Sequence, residues 1–256
     1  MRLIDTHVHL DMPPLGDDPA GVLDRAAAAG VTDCVVPAYD LSSWSRIAEL
    51  AGTFPAVHPA LGLHPWVADT APDPDHLSRE LAAALERTGA VAVGEVGLDA
   101  KVPSPSLDIQ VPVLATQLAV ARERELPVIL HVRGAFPALL ELLAPLAPVR
   151  GVVHAFGRGP ELARRFLDLG LHLGFGGAVT RPRARRPRRS AVTVPLDRIV
   201  LETDAPSIGL EGVPPEQAEP RHVRDVAFAL ADLRGEPPET IARETTRHAR
   251  ELFRLS

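Results

Sequence analysis

Histidine and acidic residues recur at the ends of apolar stretches along this chain. The first stretch ends in His7 and His9, which flank Val8 and therefore project from the same side of a strand. Two imidazoles side by side suit one metal ion. Later apolar stretches end in further residue types that bind metals, namely Glu95, His131, His154 and Asp204. One histidine at a strand end is commonly structural, but this recurrence predicts a metal site.

Six donors exceed what one catalytic zinc takes, which is usually three protein ligands and a water. We therefore expect two divalent ions, the first on His7, His9 and Asp204 and the second on His131 and His154, with Glu95 as the bridge. Two such ions outweigh the charge of the carboxylates, so the site would attract phosphate. Water bound between them would be the nucleophile, and Asp204 would accept its proton. The donors fit zinc, manganese or magnesium without choosing among them.

Two further carboxyl groups fall on the same sides of their strands as the donors. Asp5 precedes His7 by two positions, and Glu202 precedes Asp204 by two positions. Either side chain is a candidate to receive the second ring N–H of a metal-binding histidine and fix its tautomer. Polar residues that merely close off the strand ends are the alternative interpretation.

These residues need a fold that brings distant strand ends together. Strands are predicted near 2–6, 32–37, 57–62, 91–95, 127–131, 150–154, 171–175 and 198–203. Helices are predicted near 19–29, 41–51, 76–88, 107–125, 135–146, 160–169, 183–192, 219–234 and 238–253. About eight such units predict one α/β domain over 1–256, a TIM-type (β/α)₈ barrel whose strands all end at one mouth. A doubly wound open sheet is the alternative, although no Gly-x-Gly-x-x-Gly follows the first strand.

Composition narrows the remaining classes of function. The net charge of −6 provides no general basic surface for long nucleic acid. The single cysteine, Cys34, excludes an internal disulfide and fits a reducing compartment. Neither a secretory signal nor an apolar span of membrane length is visible, so we expect a cytoplasmic protein. Nothing in the sequence indicates a membrane partner or an obligate protein partner.

Six stretches of the chain carry a family resemblance. They are Asp5-Thr6-His7-Val8-His9-Leu10-Asp11, Gly62-Leu63-His64-Pro65, Gly94-Glu95-Val96-Gly97-Leu98-Asp99, and the segments 126–133, 154–156 and 195–206. In this order they resemble the TatD-like deoxyribonucleases, a branch of the metal-dependent amidohydrolase superfamily. The resemblance implies a TIM-type barrel, a divalent-metal hydrolase with the ligand roles given above, and a place for His64 near the substrate phosphate. It also implies cleavage of DNA at 3′ ends or in single strands.

Three departures from the common family pattern fall at the barrel rim, where they affect substrate choice. They are Ala100, Gly157-Arg158, and His222 in the segment Glu219-Pro220-Arg221-His222. Arg133 stands two residues past His131, and its guanidinium suits a pair of phosphate oxygens. DNA or a small phosphoester is therefore the expected substrate. The run Arg181 to Arg189 contains six arginines and is either a contact for a nucleic-acid backbone or a solvated helix start.

Other functions remain as alternatives to a nuclease. A hydrolase of small amides, lactones or phosphoesters would share the barrel and the metals. Many superfamily members of that kind bridge their metals with a carbamylated lysine, whereas this chain has Glu95 there. Its one lysine, Lys101, lies beyond the fourth strand. A metal-binding scaffold without activity is a third class.

Overall fold

The computed structural model describes residues 1–255 and follows the predicted alternation of strands and helices. The strands are β1 Leu3–Asp5, β2 Val31–Pro37, β3 Val57–Leu61, β4 Ala92–Asp99, β5 Val128–Arg133, β6 Gly151–Val153, β7 His172–Phe175 and β8 Ile199–Leu201. The α-helices are α1 Pro19–Ala28, α2 Ser43–Thr53, α3 Pro74–Thr88, α4 Leu107–Glu123, α5 Phe136–Leu143, α6 Pro160–Asp168, α7 Arg185–Thr193, α8 Val223–Arg234 and α9 Pro238–Phe253. Predicted boundaries lie within a few residues of these, and β4 continues past Glu95 to Asp99.

The strands form one parallel sheet in chain order that closes on itself. Each strand from β1 to β8 pairs with the next. β8 returns to β1 because the Thr6 N–H donates to the Leu201 carbonyl at 3.0 Å and the Asp204 N–H donates to the His7 carbonyl at 2.8 Å. An isolated parallel bridge joins Val8 and Ala205 just above. The predicted TIM-type barrel is therefore confirmed, and the open-sheet alternative is wrong.

Alternation along the strands separates two apolar clusters. The inner one fills the barrel with Ile4, Val35, Ala60, Ala92, Ile129, Val152 and Val200. Ala249, Leu252 and Phe253 of α9 close its lower end. The outer cluster lies between the strands and the surrounding helices. Because His131 and His154 each stand two positions after an inner residue, their side chains also face the barrel interior, at its mouth.

No helix within residues 1–255 is long and apolar enough to cross a bilayer.

Candidate metal centre

Four of the predicted metal-binding side chains meet at one point above β1. Nε2 of His7 lies 3.3 Å from Nε2 of His9 and 3.2 Å from Oε2 of Glu95. Oδ1 of Asp204 lies 3.7 Å from the His7 nitrogen and 3.4 Å from the His9 nitrogen. All four side chains are buried. β1, β4 and the end of β8 thus supply one group of converging donors.

The second oxygen of Glu95 faces a different group of histidines. Its Oε1 lies 2.9 Å from Nδ1 of His131, 2.7 Å from Nε2 of His154 and 3.3 Å from Nε2 of His64. Glu95 therefore stands between two donor groups, one at each carboxylate oxygen. His64 is buried and points at this carboxylate, so the turn after β3 brings it deeper than a rim position.

The donor atoms fit divalent cations. Among residues 1–255, no hydrogen-bond partner reaches Nδ1 of His7, His9 or His154, or Oδ1 of Asp204. Donor atoms of His7, His9 and Glu95 lie within 4.8 Å of one another, and so do donor atoms of His64, Glu95 and His131. Imidazole and carboxylate donors in this combination suit zinc and manganese, and the carboxylates also accept magnesium. The residues present could therefore hold the divalent metals that the sequence predicts.

Burial and mutual attraction set opposite preferences for protonation within the centre. Burial favours a raised pKa for Glu95, but the facing charges of His154, His64 and His7 hold that pKa well below its usual range. Burial favours a lowered pKa for His154, yet Glu95 raises it to about 10. His7 stacks on His154 with ring centroids 4.1 Å apart, and burial together with the His154 charge lowers its pKa to about 4. A divalent ion entering this centre would displace protons.

Asp99 supports His131 and was not singled out from the sequence as a functional residue. Its Oδ2 accepts hydrogen bonds from Nε2 of His131 at 3.0 Å and from Nε1 of Trp66 at 2.7 Å. The backbone N–H of Lys101 donates to Oδ1 at 2.7 Å. These contacts aim Nδ1 of His131 at Glu95. Asp99 follows Glu95 by four positions, so the two side chains face the same side of a strand that includes both. The prediction missed Asp99 because it ended the strand at residue 95.

Asp5 and Glu202, the two candidates for orienting histidines, behave differently. Asp5 accepts hydrogen bonds from the His7 N–H at 3.2 Å and from the Thr203 N–H at 3.0 Å and hydroxyl at 2.6 Å. It therefore links β1 to the end of β8 and touches no imidazole nitrogen. Glu202 accepts from the Ala155 N–H, and its Oε1 lies 4.0 Å from Nδ1 of His154. Burial raises the pKa of Asp5 to about 7 and that of Glu202 to about 8.

A cavity of about 470 Å³ opens above the donors. Arg133 lines it beside His131, where the period of the strand placed it, with Nη1 3.6 Å from Oδ2 of Asp99. Arg158, whose role the sequence left open, also lines the cavity and lies over the Phe136 ring at 4.7 Å. Trp66 exposes 40% of its surface at the rim. The mouth thus combines cationic and aromatic groups around a buried polar floor.

The arginine run lies away from this cavity. Arg181 donates to the Gly209 carbonyl at 2.7 Å, and Arg188 donates to the Val179 carbonyl at 2.8 Å. α7 begins at Arg185, and none of the six arginines lines the cavity above the donors. Two members of the run therefore hold loops in place, in agreement with the interpretation as a helix start.

The closed barrel and the donor cluster at its mouth define the class of metal-dependent TIM-barrel hydrolases. The chain belongs to the TatD related DNase family, which matches residues 4–254. It is 38% identical to YjjV, an uncharacterized metal-dependent hydrolase of Escherichia coli K12, over 99% of this chain and 98% of that protein. The crystal structure of YjjV superposes with a TM-score of 0.94 over 100% of this chain and 99% of that chain. The 3′-5′ ssDNA/RNA exonuclease TatD of Erwinia billingiae is 32% identical over 99% of both.

Proposed function

We propose that the protein is a divalent-metal-dependent nuclease that hydrolyses phosphodiester bonds at the 3′ ends or in the single strands of DNA. The observation that carries this proposal is the position of Glu95, whose two oxygens face two separate groups of donors. Such a carboxylate suits a pair of cations, which is an arrangement used for phosphoryl displacement. The name of the Erwinia billingiae relative supports single-stranded nucleic acid as the substrate class.

Each donor has a part in this proposal. His7, His9 and Asp204 would hold one ion and His131 and His154 the other, with Glu95 between them. Divalent ions in such a site lower the pKa of water toward neutrality and neutralise the charge that develops on phosphate oxygens. Zinc, manganese and magnesium are the candidates.

The remaining steps belong to side chains at the cavity. Asp204 is the proton acceptor for the attacking water, because its Oδ1 has no hydrogen-bond partner within residues 1–255 and the residue lines the cavity. Arg133 binds two phosphate oxygens through its planar fork. His64 contacts the same phosphate, consistent with its place on the cavity lining.

The size and charge of the mouth favour short substrate segments. A cavity of about 470 Å³ accommodates one terminal nucleotide rather than a duplex. The net charge of −6 gives no extended basic track for a long backbone. Trp66 is exposed where a base could stack on its ring. We therefore propose ends and single strands as substrates, in the cytoplasmic setting expected from the sequence.

The competing function is hydrolysis of small amides or lactones. It is disfavoured because Glu95 occupies the place between the two donor groups. The Lys101 side chain instead packs against Gly134, outside the centre. A Cβ built on Gly134 would lie 3.2 Å from Cε of Lys101.

The test compares these substrates directly. The purified protein is loaded with zinc or manganese, its metal content is measured by mass spectrometry, and it is assayed on 3′-labelled single-stranded DNA and on a panel of lactones and amides. We expect DNA cleavage that Glu95→Ala and Asp204→Ala abolish, while Glu86→Ala on the exposed surface of α3 leaves it unchanged. A loaded protein that hydrolyses a lactone and leaves DNA intact would overturn the proposal.

A further inference from the structure

Three buried polar atoms of neighbouring residues at the metal centre lack a hydrogen-bond partner within residues 1–255. They are Nδ1 of His7, Nδ1 of His154 and Oε2 of Glu202, and no hydrogen-bond partner reaches any of them within the described chain, 1–255. One donor atom from each of these three residues lies within 4.8 Å of the other two. All three residues are buried. Unpaired buried polar atoms are rare in native proteins, and three together need an explanation.

The ring geometry directs both Nδ1 atoms to the same side. The His7 and His154 rings stack with an interplanar angle of 12°. Nε2 of each ring lies at Glu95, at 3.2 Å for His7 and 2.7 Å for His154. Nδ1 therefore lies on the ring edge away from Glu95 in both cases. A neutral imidazole that binds an ion through Nε2 carries its hydrogen on Nδ1, so both atoms are donors.

The distances leave room for one water molecule. Nδ1 of His154 lies 4.0 Å from Oε1 of Glu202, which is too long for a direct hydrogen bond. One donor atom of His7 lies within 4.8 Å of a donor atom of His154 and of a carboxylate oxygen of Glu202. Three atoms at that spacing leave a point about 2.8 Å from each, the length of a hydrogen bond to water. A water between the three residues would accept both Nδ1–H groups and donate to the Glu202 carboxylate. Three such bonds are what a buried water typically makes.

The fold fixes the carboxylate for this purpose. Gly174 of β7 faces the barrel interior, and a Cβ on it would lie 2.2 Å from Oε2 of Glu202. Because Gly174 has no side chain, the Glu202 carboxylate can occupy this space. The Ala155 N–H holds the other oxygen. We propose that Glu202 is a positioning residue that, through one buried water, sets the tautomer and orientation of His7 and His154. This inference rests on the proposed metal centre.

The first test measures zinc affinity by competition with a chromophoric chelator. Glu202→Gln keeps the shape but replaces a carboxyl oxygen that accepts the hydrogen bond by an amide group, and we expect zinc to bind about 10- to 100-fold more weakly. Gly174→Ala displaces the same carboxylate without changing the charge and should weaken binding likewise. Asp33→Asn removes a carboxylate at the opposite end of the barrel and should keep wild-type zinc affinity. If the wild-type protein binds no zinc, the metal centre itself is wrong; if Glu202→Gln binds zinc as the wild type does, only the inference about Glu202 is wrong.

The second test needs no variant and therefore decides the matter if Glu202→Gln does not fold. Zinc-loaded protein with ¹⁵N-labelled histidine is examined by NMR. We expect the His7 and His154 rings to carry hydrogen on Nδ1, with slow exchange against solvent. Rings that carry no hydrogen on Nδ1, or that exchange it rapidly, would overturn the proposal.

Discussion

Carboxylate groups have different kinds of partner at the two ends of the barrel. At the lower end, the Asp33 carboxylate has two side-chain partners, with Nε2 of His58 at 2.9 Å from Oδ1 and Nη2 of Arg250 at 2.9 Å from Oδ2. At the mouth, Glu95 and Asp204 face imidazoles that crowd one another. The Asp33 carboxylate therefore finds its partners among protein atoms. At the mouth, buried histidine and carboxylate groups lie together in a way that could hold metal ions.

The surroundings explain this difference. α9 covers the lower end with Leu252 and Phe253, so a charge there must find its partner in the chain. Burial favours a raised pKa for Asp33, but hydrogen bonds from His58 and Thr32 and the charge of Arg250 bring it below its usual value. The mouth opens into a cavity through which an ion and a substrate can enter. The crowding of like groups therefore lies at the end that an ion and a substrate can reach.

Removing metal should have the largest effect on activity, and this effect should depend on the mouth and not on the lower end. Treatment with a chelator should lower hydrolysis of single-stranded DNA on the order of 10³-fold or more, because the charge stabilisation at the mouth is lost. Added manganese or zinc should restore the rate. Asp33→Asn should respond to chelation and to metal as the wild type does. Full activity in protein that metal analysis shows to be free of metal would contradict the assignment of the mouth as the metal site.

The next largest effect should follow from loosening one ligand. Asp99→Asn weakens the hydrogen bond to Nε2 of His131 and should lower metal affinity about 10- to 100-fold. Isothermal titration of the apoprotein with manganese measures this change. Asp108→Asn, on the exposed first turn of α4, is the matched control and should bind as the wild type does. Unchanged affinity of Asp99→Asn would show that packing alone holds His131.

The alternation of residues along single strands predicted most of the side chains at the mouth. The others depend on how neighbouring strands pair. The period of two identified His131 and His154, because Ile129 and Val152 before them are inner residues. It missed Asp99, since nothing in the composition after Glu95 shows that β4 continues. The strand extends there because β5 pairs with it as far as Arg133.

The sequence alone also did not predict contacts between residues of different strands. The spacing marked Glu202 as a candidate, but not the space that Gly174 leaves for it on the neighbouring strand. Asp5 showed the same spacing, yet Thr203 satisfies its carboxylate. Which of two similar carboxyl groups lies near an imidazole depends on register across strands, and register is not a local property.

A stability measurement tests the lower end. Asp33→Asn should lose about 1.5–3 kcal/mol of unfolding free energy at pH 7, the usual contribution of hydrogen bonds to charged groups. Because folding lowers the pKa of Asp33, its contribution is present above the ordinary value of 3.8 and is lost as the pH falls through and below that value. Urea unfolding at pH 7 and pH 3 should therefore show a difference from wild type that shrinks in acid. Glu86→Gln, in an exposed pair with Arg124, is the control and should show no resolvable change.

The smallest expected effect concerns which arginine touches substrate, and it refines the role of the mouth. Arg133→Lys keeps the charge but loses the planar fork, so KM for single-stranded DNA should rise roughly tenfold with little change in kcat. Arg183→Ala removes an exposed cation from the run outside the cavity and should leave KM unchanged. The reverse result, with KM sensitive to Arg183 and insensitive to Arg133, would move the substrate path from the barrel mouth to α7. In that case the contrast between the ends would still describe the metal centre, but not how the substrate reaches it.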